Sequence, residues 1–336
     1  MTLRDVFRSG LRPAILLPIV LAAALLLAAF KLGDLGSVIG RIQAITIVTM
    51  LFALVLGLCY LGLKFLQLRL LLADLKLHPH WRHALMAFTV GELSLTLPFG
   101  IFAQNWVLST HSHLHFGRTS AATVVMLLVE TLVVLLFLAV VGAPGWPLLS
   151  PLAGVCAAGL VAFVVAILRF DRHIHRLAQR THNRTLHRAL VEILELVMGL
   201  KRLSNPRVLV VNILLAGLYL AALTLAFTWV GRDVGLTHLH FLTASSIYAF
   251  SLAGVLLFGG LISQIGTVEV LGMGAAQAWG FDFANGLALM LGFRLVWTGV
   301  MWLINLPLLV ALWRADRVTA RRSVDDVEKA LDGPGS

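Results

Sequence analysis

Between six apolar runs, each long enough to cross a bilayer, the chain carries two more that are broken by glycine and proline and occupy matching places in its two halves. The unbroken runs cover 13–30, 43–63, 119–141, 151–168, 208–230 and 286–313. Roughly 20 apolar residues in a helix cross about 30 Å of hydrocarbon. The first broken segment, 84–110, has Glu92 as its only acid, carries no Lys or Arg, and is interrupted by Gly91, Pro98 and Gly100. The second, 241–281, has Glu269 as its only formal charge and is interrupted by Gly254, Gly259, Gly260, Gly266, Gly272 and Gly274. Non-helical backbone at membrane depth survives only where it lines a cavity in the protein, so paired broken helices point to a transporter with its site near the bilayer midplane.

At 59% hydrophobic and 12% charged residues, with a mean hydropathy of +0.93, the chain lies outside the soluble range and reads as an all-α polytopic membrane protein. Arg4, Arg8 and Arg12 precede the first apolar run, as in a signal peptide, but no small-x-small exit follows before Lys31, and a retained first helix is expected. The formal charge of +10 invites a nucleic-acid reading, yet the basic residues cluster in loops that flank membrane runs, where they set orientation. A cytoplasmic N-terminus leaves Lys31, Arg41 and Arg232 outside, sinks Arg294 alone within a span, and keeps the other Lys and Arg inside. That count holds only if 84–110 enters from the cytoplasm and returns to it; a single crossing turns the basic loop 170–207 outward, against the positive-inside rule.

The same parity makes 241–281 enter and leave from the outside, as a re-entrant hairpin or as two short spans. The order span, broken hairpin, span then occurs twice in opposite orientation, which is an inverted-topology repeat with about six full spans. The expected units are an N-terminal helix and loop at 1–42, a first membrane half at 43–169, a cytoplasmic basic amphipathic helix at 170–207, a second membrane half at 208–313, and a frayed cytoplasmic tail at 314–336. Both termini are expected in the cytoplasm and the membrane is expected to be the inner membrane. Cys59 and Cys156 fall in apolar runs as small packing residues, without disulfide or zinc spacing.

The stretch Gly259, Gly260, Leu261, Ile262, Ser263, Gln264, Ile265, Gly266, Thr267, Val268, Glu269 resembles the Gly-rich turn ending in Gly-Val-x-Glu of the flippase-like transmembrane domain of lysylphosphatidylglycerol synthases and their stand-alone relatives. Leu291, Gly292, Phe293, Arg294, Leu295 is similar to that family's leucine-rich helix with a single Arg. Leu97, Pro98, Phe99, Gly100 and Gln104 resemble its first Pro-Gly turn, and Glu130 falls where a charged residue is common in the next helix. The likeness runs over roughly 43–312. It departs from the family at Phe99, Ala103, Gln104 and Asn105, which replace the usual Arg and acid, and at Gln264, which replaces Gly. The resemblance implies a protein that moves a polar-headed lipid between leaflets. In the synthases a soluble aminoacyl-transferring domain follows; with about two dozen residues after Trp313, that enzyme half is expected to be absent here.

An ionisable side chain in hydrocarbon costs several kcal/mol unless it faces protein or water, which makes Glu269, Arg294 and Glu130 site candidates on physical grounds. A guanidinium grips phosphate bidentately and half-helix N-termini add positive dipole ends, so a phosphate-bearing head group suits Arg294 and Gly266. The competing role for Glu269 and Arg294 is an internal ion pair that holds the second hairpin, and for Glu130 a structural hydrogen bond. Gln104, Asn105 and Gln264 lie at or beside the hairpin turns, where their amides contact a head group or satisfy broken backbone. His111, His113 and His115, and the pair His238 and His240, lack acidic partners nearby and read as interfacial histidines, not a metal site.

Arg172, Arg176, Arg180, Arg184 and Arg188 recur every fourth residue beside an apolar set of Ile174, Leu177, Leu186, Leu190, Ile193, Leu194 and Val197. This reads as an amphipathic helix attached to an anionic lipid surface. No phosphate-cradling Gly-x-x-x-x-Gly-Lys loop is present, so transport is expected to be passive or ion-coupled, with Glu269 and Glu130 the acids deep enough to carry a proton. The leading expectation is a non-enzymatic lipid translocase without cofactor or metal. The alternatives are an integral-membrane head-group transferase with Glu269 as general base, and an anchor subunit for a separately encoded lipid-modifying enzyme.

Overall fold

The computed structural model describes residues 35–95, 97, 100–112, 114–169, 176, 184–257 and 264–331. Among them every regular element is helical: α1 (Leu35–Gln43), α2 (Ile47–Asp74), α3 (Trp81–Ser94), a 3-10 turn (Gly100–Phe102), α4 (Ala103–Ser112), α5 (Phe116–Val141), α6 (Leu149–Arg169), α7 (Arg184–Leu203), α8 (Pro206–Asp233), α9 (Phe241–Leu257), α10 (Gln264–Ala278) and α11 (Phe283–Leu331). Five are long and apolar enough to cross a membrane: α2, α5, α6, α8 and Phe283–Ala315 of α11. The expected sixth span, 13–30, lies outside the described residues.

Helix ends follow from local chemistry. Thr46 caps α2 by accepting from the Thr49 amide, and Asn205 caps α8 by accepting from the Arg207 amide with Pro206 in the first helical position. Outward faces carry large apolar residues, among them Val155, Phe163, Leu214 and Leu303. That is the arrangement a helix needs when its solvent is hydrocarbon.

The broken segments form two helical hairpins. At about 1.5 Å per residue, α3 and α4 rise about 21 and 15 Å and α9 and α10 about 26 and 23 Å, each short of the hydrocarbon thickness of about 30 Å. Gly100 makes the first tip: a Cβ there falls 1.6 Å from the Ser94 carbonyl oxygen, so no other residue fits without moving the turn. Gly91 lets α4 lie against α3 at Gln104.

The halves interlock through matching contacts. Thr46 with Asp233, Phe52 with Trp229, Tyr60 with Tyr219 and Gln67 with the Asn212 carbonyl pair up as α2 ascends and α8 descends, so these two helices run antiparallel. The hairpin α3–α4 packs against α11, and the hairpin α9–α10 packs against α5. The first hairpin ends beside the start of α5, at Ser112. The base of the second lies at the other end of α5, where Ser246 donates to the Gly142 carbonyl and the Gly145 amide to the Ala278 carbonyl. The two hairpins therefore enter from opposite ends of α5.

Four expectations are corrected. The first half's opening span does not stop at Leu63 but continues to Asp74, and Lys64 within it is 1% exposed; Arg294 is thus not alone as a sunken base. The tail does not fray after Arg314, because α11 continues to Leu331. The basic segment's apolar face is not free for lipid along its length: on α7, Leu190 and Val197 are buried together with Leu200 and Leu203, and α7 packs on α5, while Leu186 and Ile193 are exposed. Glu192 of α7 accepts from the Gly117 amide at 2.6 Å, placing a carboxylate at the positive end of α5. Arg176 and Arg188 are exposed and Arg184 opens α7; Arg172 and Arg180 lie outside the described residues. Cys59 is exposed, not packed inside.

Candidate substrate and ion site between the halves

Two ion pairs, one per hairpin, are connected by a chain of aromatic contacts; the first is buried and the second has a partly exposed Arg294. In the first half, α2 presents Tyr60 and Lys64 one helical turn apart on the same face. Lys64 donates to the Tyr60 hydroxyl at 2.8 Å, pairs with Glu92 Oε1 at 3.1 Å, and lies over the rings of Tyr60 and Tyr219 at 5.1 and 5.8 Å. Glu92 sits in the last turn of α3, just before the chain breaks. An isolated charge there costs several kcal/mol, and the pair with its extra hydrogen bond offsets that cost for Lys64 and Glu92 together.

Glu130, midway along α5, enters the same neighbourhood without such help. It is 6% exposed and makes no hydrogen bond or ion pair among the described residues. It lines a cavity of about 70 Å³ with Tyr60, Lys64, the hairpin-tip residues Leu97 and Gly100, Tyr248 and Trp297. Both halves contribute to that lining, and the first hairpin's break forms part of it. The volume admits a few waters and excludes a lipid head group.

In the second half, Glu269 near the start of α10 accepts from the Gly266 amide at 2.7 Å through one oxygen and from Arg294 Nε at 3.0 Å through the other. Gly266 has φ +83°, a left-handed conformation that glycine adopts without strain. Arg294 lies about 16 Å of rise along α11 from Phe283. Its Nη2 is buried with no hydrogen-bond partner among the described residues, although the side chain as a whole is 26% exposed. A guanidinium held by one nitrogen and leaving another donor unmatched is arranged to receive an acceptor.

The aromatic wall links the pairs: Tyr60 meets Trp297 edge-on at 5.4 Å, Trp297 stacks on Phe293 at 5.7 Å, and Phe293 meets Tyr248 at 5.4 Å. Phe293 and Trp297 are neighbours of Arg294 on α11, so the span that carries the guanidinium also walls the Glu130 cavity.

Of the residues singled out from sequence, the structure pairs Glu269 with Arg294, puts Gly266 beside them, and brings Glu130 to the cavity. Gln104 and Asn105 are buried at the start of α4 but engage α5: Gln104 donates to Thr123 Oγ1 at 2.6 Å and Thr123 donates to Asn105 Oδ1 at 2.9 Å. Gln264 opens α10, and its side chain lies outside the described residues, as does His113. His111 caps its own helix end through the Val107 carbonyl and lies near the His83 ring. Sequence reasoning missed Lys64, and noted Glu92 without assigning it a partner.

No curated protein matches the chain. Residues 15–304, most of its length, match the family described as lysylphosphatidylglycerol synthase TM region. Helical architecture, spans and sequence agree, and the chain belongs to the lysylphosphatidylglycerol synthase TM region family, membrane proteins of lipid-related function.

Proposed function

We propose that the protein is a lipid translocase that moves a polar-headed, phosphate-bearing lipid between the leaflets of the inner membrane by alternately opening the space between its two halves. The observation that carries this is a cavity holding Lys64 and Glu130, lined from both halves and by the tip of a hairpin too short to cross. Two hairpins entering from opposite ends of α5, and equivalent helices α2 and α8 running antiparallel, are what an inverted repeat requires. In this arrangement one face opens while the other closes around a fixed site. The conformation described is closed to a head group, so the halves separate during transport.

Arg294 is the residue proposed to hold phosphate, since its Nη2 remains to be matched after Nε meets Glu269. The proposed reading includes no enzymatic step and no cofactor. The basic residues of 170–207 support cytoplasmic termini and contact with anionic lipid, and a separately encoded lipid-modifying enzyme is a compatible partner. Reconstitution into liposomes with fluorescent lipids of different head groups tests the reading directly. Protein-dependent leaflet exchange is expected for phosphate-bearing lipids; exchange no faster than in protein-free vesicles across the panel removes the translocase function.

A further inference from the structure

Charge arithmetic around the cavity leaves one carboxylate over. Lys64 and Glu92 cancel, Arg294 and Glu269 cancel, and Glu130 faces the cavity with no ion pair or hydrogen bond among the described residues. We propose that Glu130 is a proton-binding site that couples the movement of the two halves to the transmembrane proton gradient; its consequence for transport rests on the translocase reading above, its existence as a proton site does not.

The neighbours decide between a proton and another cation. From α2 come Lys64 and Tyr60, from α3 Glu92, from α8 Tyr219 and from α9 Tyr248; α4, α6 and α7 turn no charged group toward Glu130 among the described residues. A metal cation needs several oxygen ligands, whereas here an ammonium group shares the cavity and most of the remaining wall is apolar. A proton needs only the carboxylate. With Glu130 protonated, the Lys64 and Glu92 pair is left neutral in a closed, poorly hydrated space. With Glu130 ionised, two carboxylates compete for one ammonium and the cluster holds a net negative charge, which is tolerable only once water enters.

The cycle that follows is balanced. When the cavity opens to the more acidic side, Glu130 takes a proton from water, forming an O–H bond. The neutral cluster then permits closure and passage to the other state, where the proton returns to water. Glu269 cannot take this part as readily, because both of its oxygens are already engaged. Glu92 is held as a carboxylate by Lys64, which pairs with its Oε1 at 3.1 Å.

The test uses the full chain in vesicles of phosphatidylcholine and phosphatidylglycerol carrying a short-chain fluorescent phosphatidylglycerol. A pH gradient of one unit is expected to skew the probe's steady-state leaflet distribution by up to about tenfold for one coupled proton. Glu130→Gln is expected to lose that skew at whatever exchange rate it retains. Exchange that ignores the pH gradient, that follows a sodium gradient instead, or that keeps its pH response in Glu130→Gln overturns the coupling. A second measurement needs no variant and no transport: protonated carboxyls in apolar surroundings add to the central carbon of dicyclohexylcarbodiimide, their proton passing to its nitrogen. Peptide mapping is expected to find the adduct on Glu130 and not on Glu92 or Glu269. If the probe does not exchange at all, the translocase reading suffers while labelling still decides the proton site, and an unlabelled Glu130 overturns it.

Discussion

The two ion pairs look alike on paper and differ in what they leave unfinished. Lys64 and Glu92 are sealed, with side chains 2% and 7% exposed, and their surroundings hold a surplus acid in Glu130. Arg294 and Glu269 are half-open on the cationic side, and their surroundings hold a surplus donor, Nη2 of Arg294. One half of the protein is therefore short of positive charge and the other is short of an acceptor. Two pairs with unlike deficits fit the two proposed roles, a proton at one site and an anionic head group at the other. That division separates the roles that sequence alone assigned jointly to Glu130, Glu269 and Arg294.

The largest expected effect is at Lys64. Lys64→Met leaves Glu92 and Glu130 together in the interior without a cation, and removal of one partner from a buried pair costs about 3–5 kcal/mol. A large fall in folded yield and detergent-solubilised melting temperature is expected, with much of it recovered in the double variant Lys64→Met with Glu92→Gln. A well-folded single variant shows that the first pair is not the sealed, structural one.

Arg294 gives the next largest effect, on transport more than on folding. Arg294→Lys can still reach Glu269 but loses the planar fork that aims a second nitrogen at the phosphate; one charge-assisted hydrogen bond is worth roughly 1.5 kcal/mol, so exchange should fall about tenfold. Arg294→Gln is expected to abolish it. Swapping the charges at Glu269 and Arg294 should not rescue activity, because Glu269 also accepts from the Gly266 amide and no arginine can. Full activity in the lysine or the swapped protein reduces Arg294 to scaffold and makes the two pairs equivalent.

How much of this was legible in the sequence depends on the physics at each residue. The hairpins were readable because glycine and proline interrupt runs that otherwise cross, and the Glu269 and Arg294 pair was readable because each is expensive without the other. Lys64 was not, because the hydropathy of the first span falls at Lys64, Gln67 and Arg69 and a linear reading ends the helix there. Helical spacing held the missing signal: Tyr60, Lys64, Gln67, Leu68 and Leu71 share one face, and all are buried. The bonding of Gln104 to Thr123 was beyond reach, since it depends on how α4 seats against α5, and the helical continuation past Arg314 was hidden by a charge mixture that a solvated helix and an irregular tail have in common.

Gly266 sharpens the contrast at a finer scale. An alanine there must adopt φ +83°, which costs about 1–2 kcal/mol, and relief of that strain shifts the amide that Glu269 holds. Gly266→Ala is expected to lower thermal stability modestly and to weaken transport through Arg294, leaving the proton response of Glu130 in place. Loss of the pH response alone, with head-group selection intact, reverses the assignment of the two sites.

The smallest effect is expected at Gln104, and it asks whether the first hairpin reads the lipid at all. Its amide is spent on Thr123, which keeps Asn105 as an acceptor if Gln104 is removed, and neither Gln104 nor Asn105 lines the cavity. Gln104→Met preserves length and bulk against Gly91, so the loss is one hydrogen bond, about 0.5–1.5 kcal/mol of stability. Lipid exchange and the ranking of head groups should be unchanged when measured at a temperature well below unfolding. A changed ranking means that α4 tilts to present its amides when the halves part, and the first hairpin then shares in recognition with Arg294 instead of serving as a wall for the proton site.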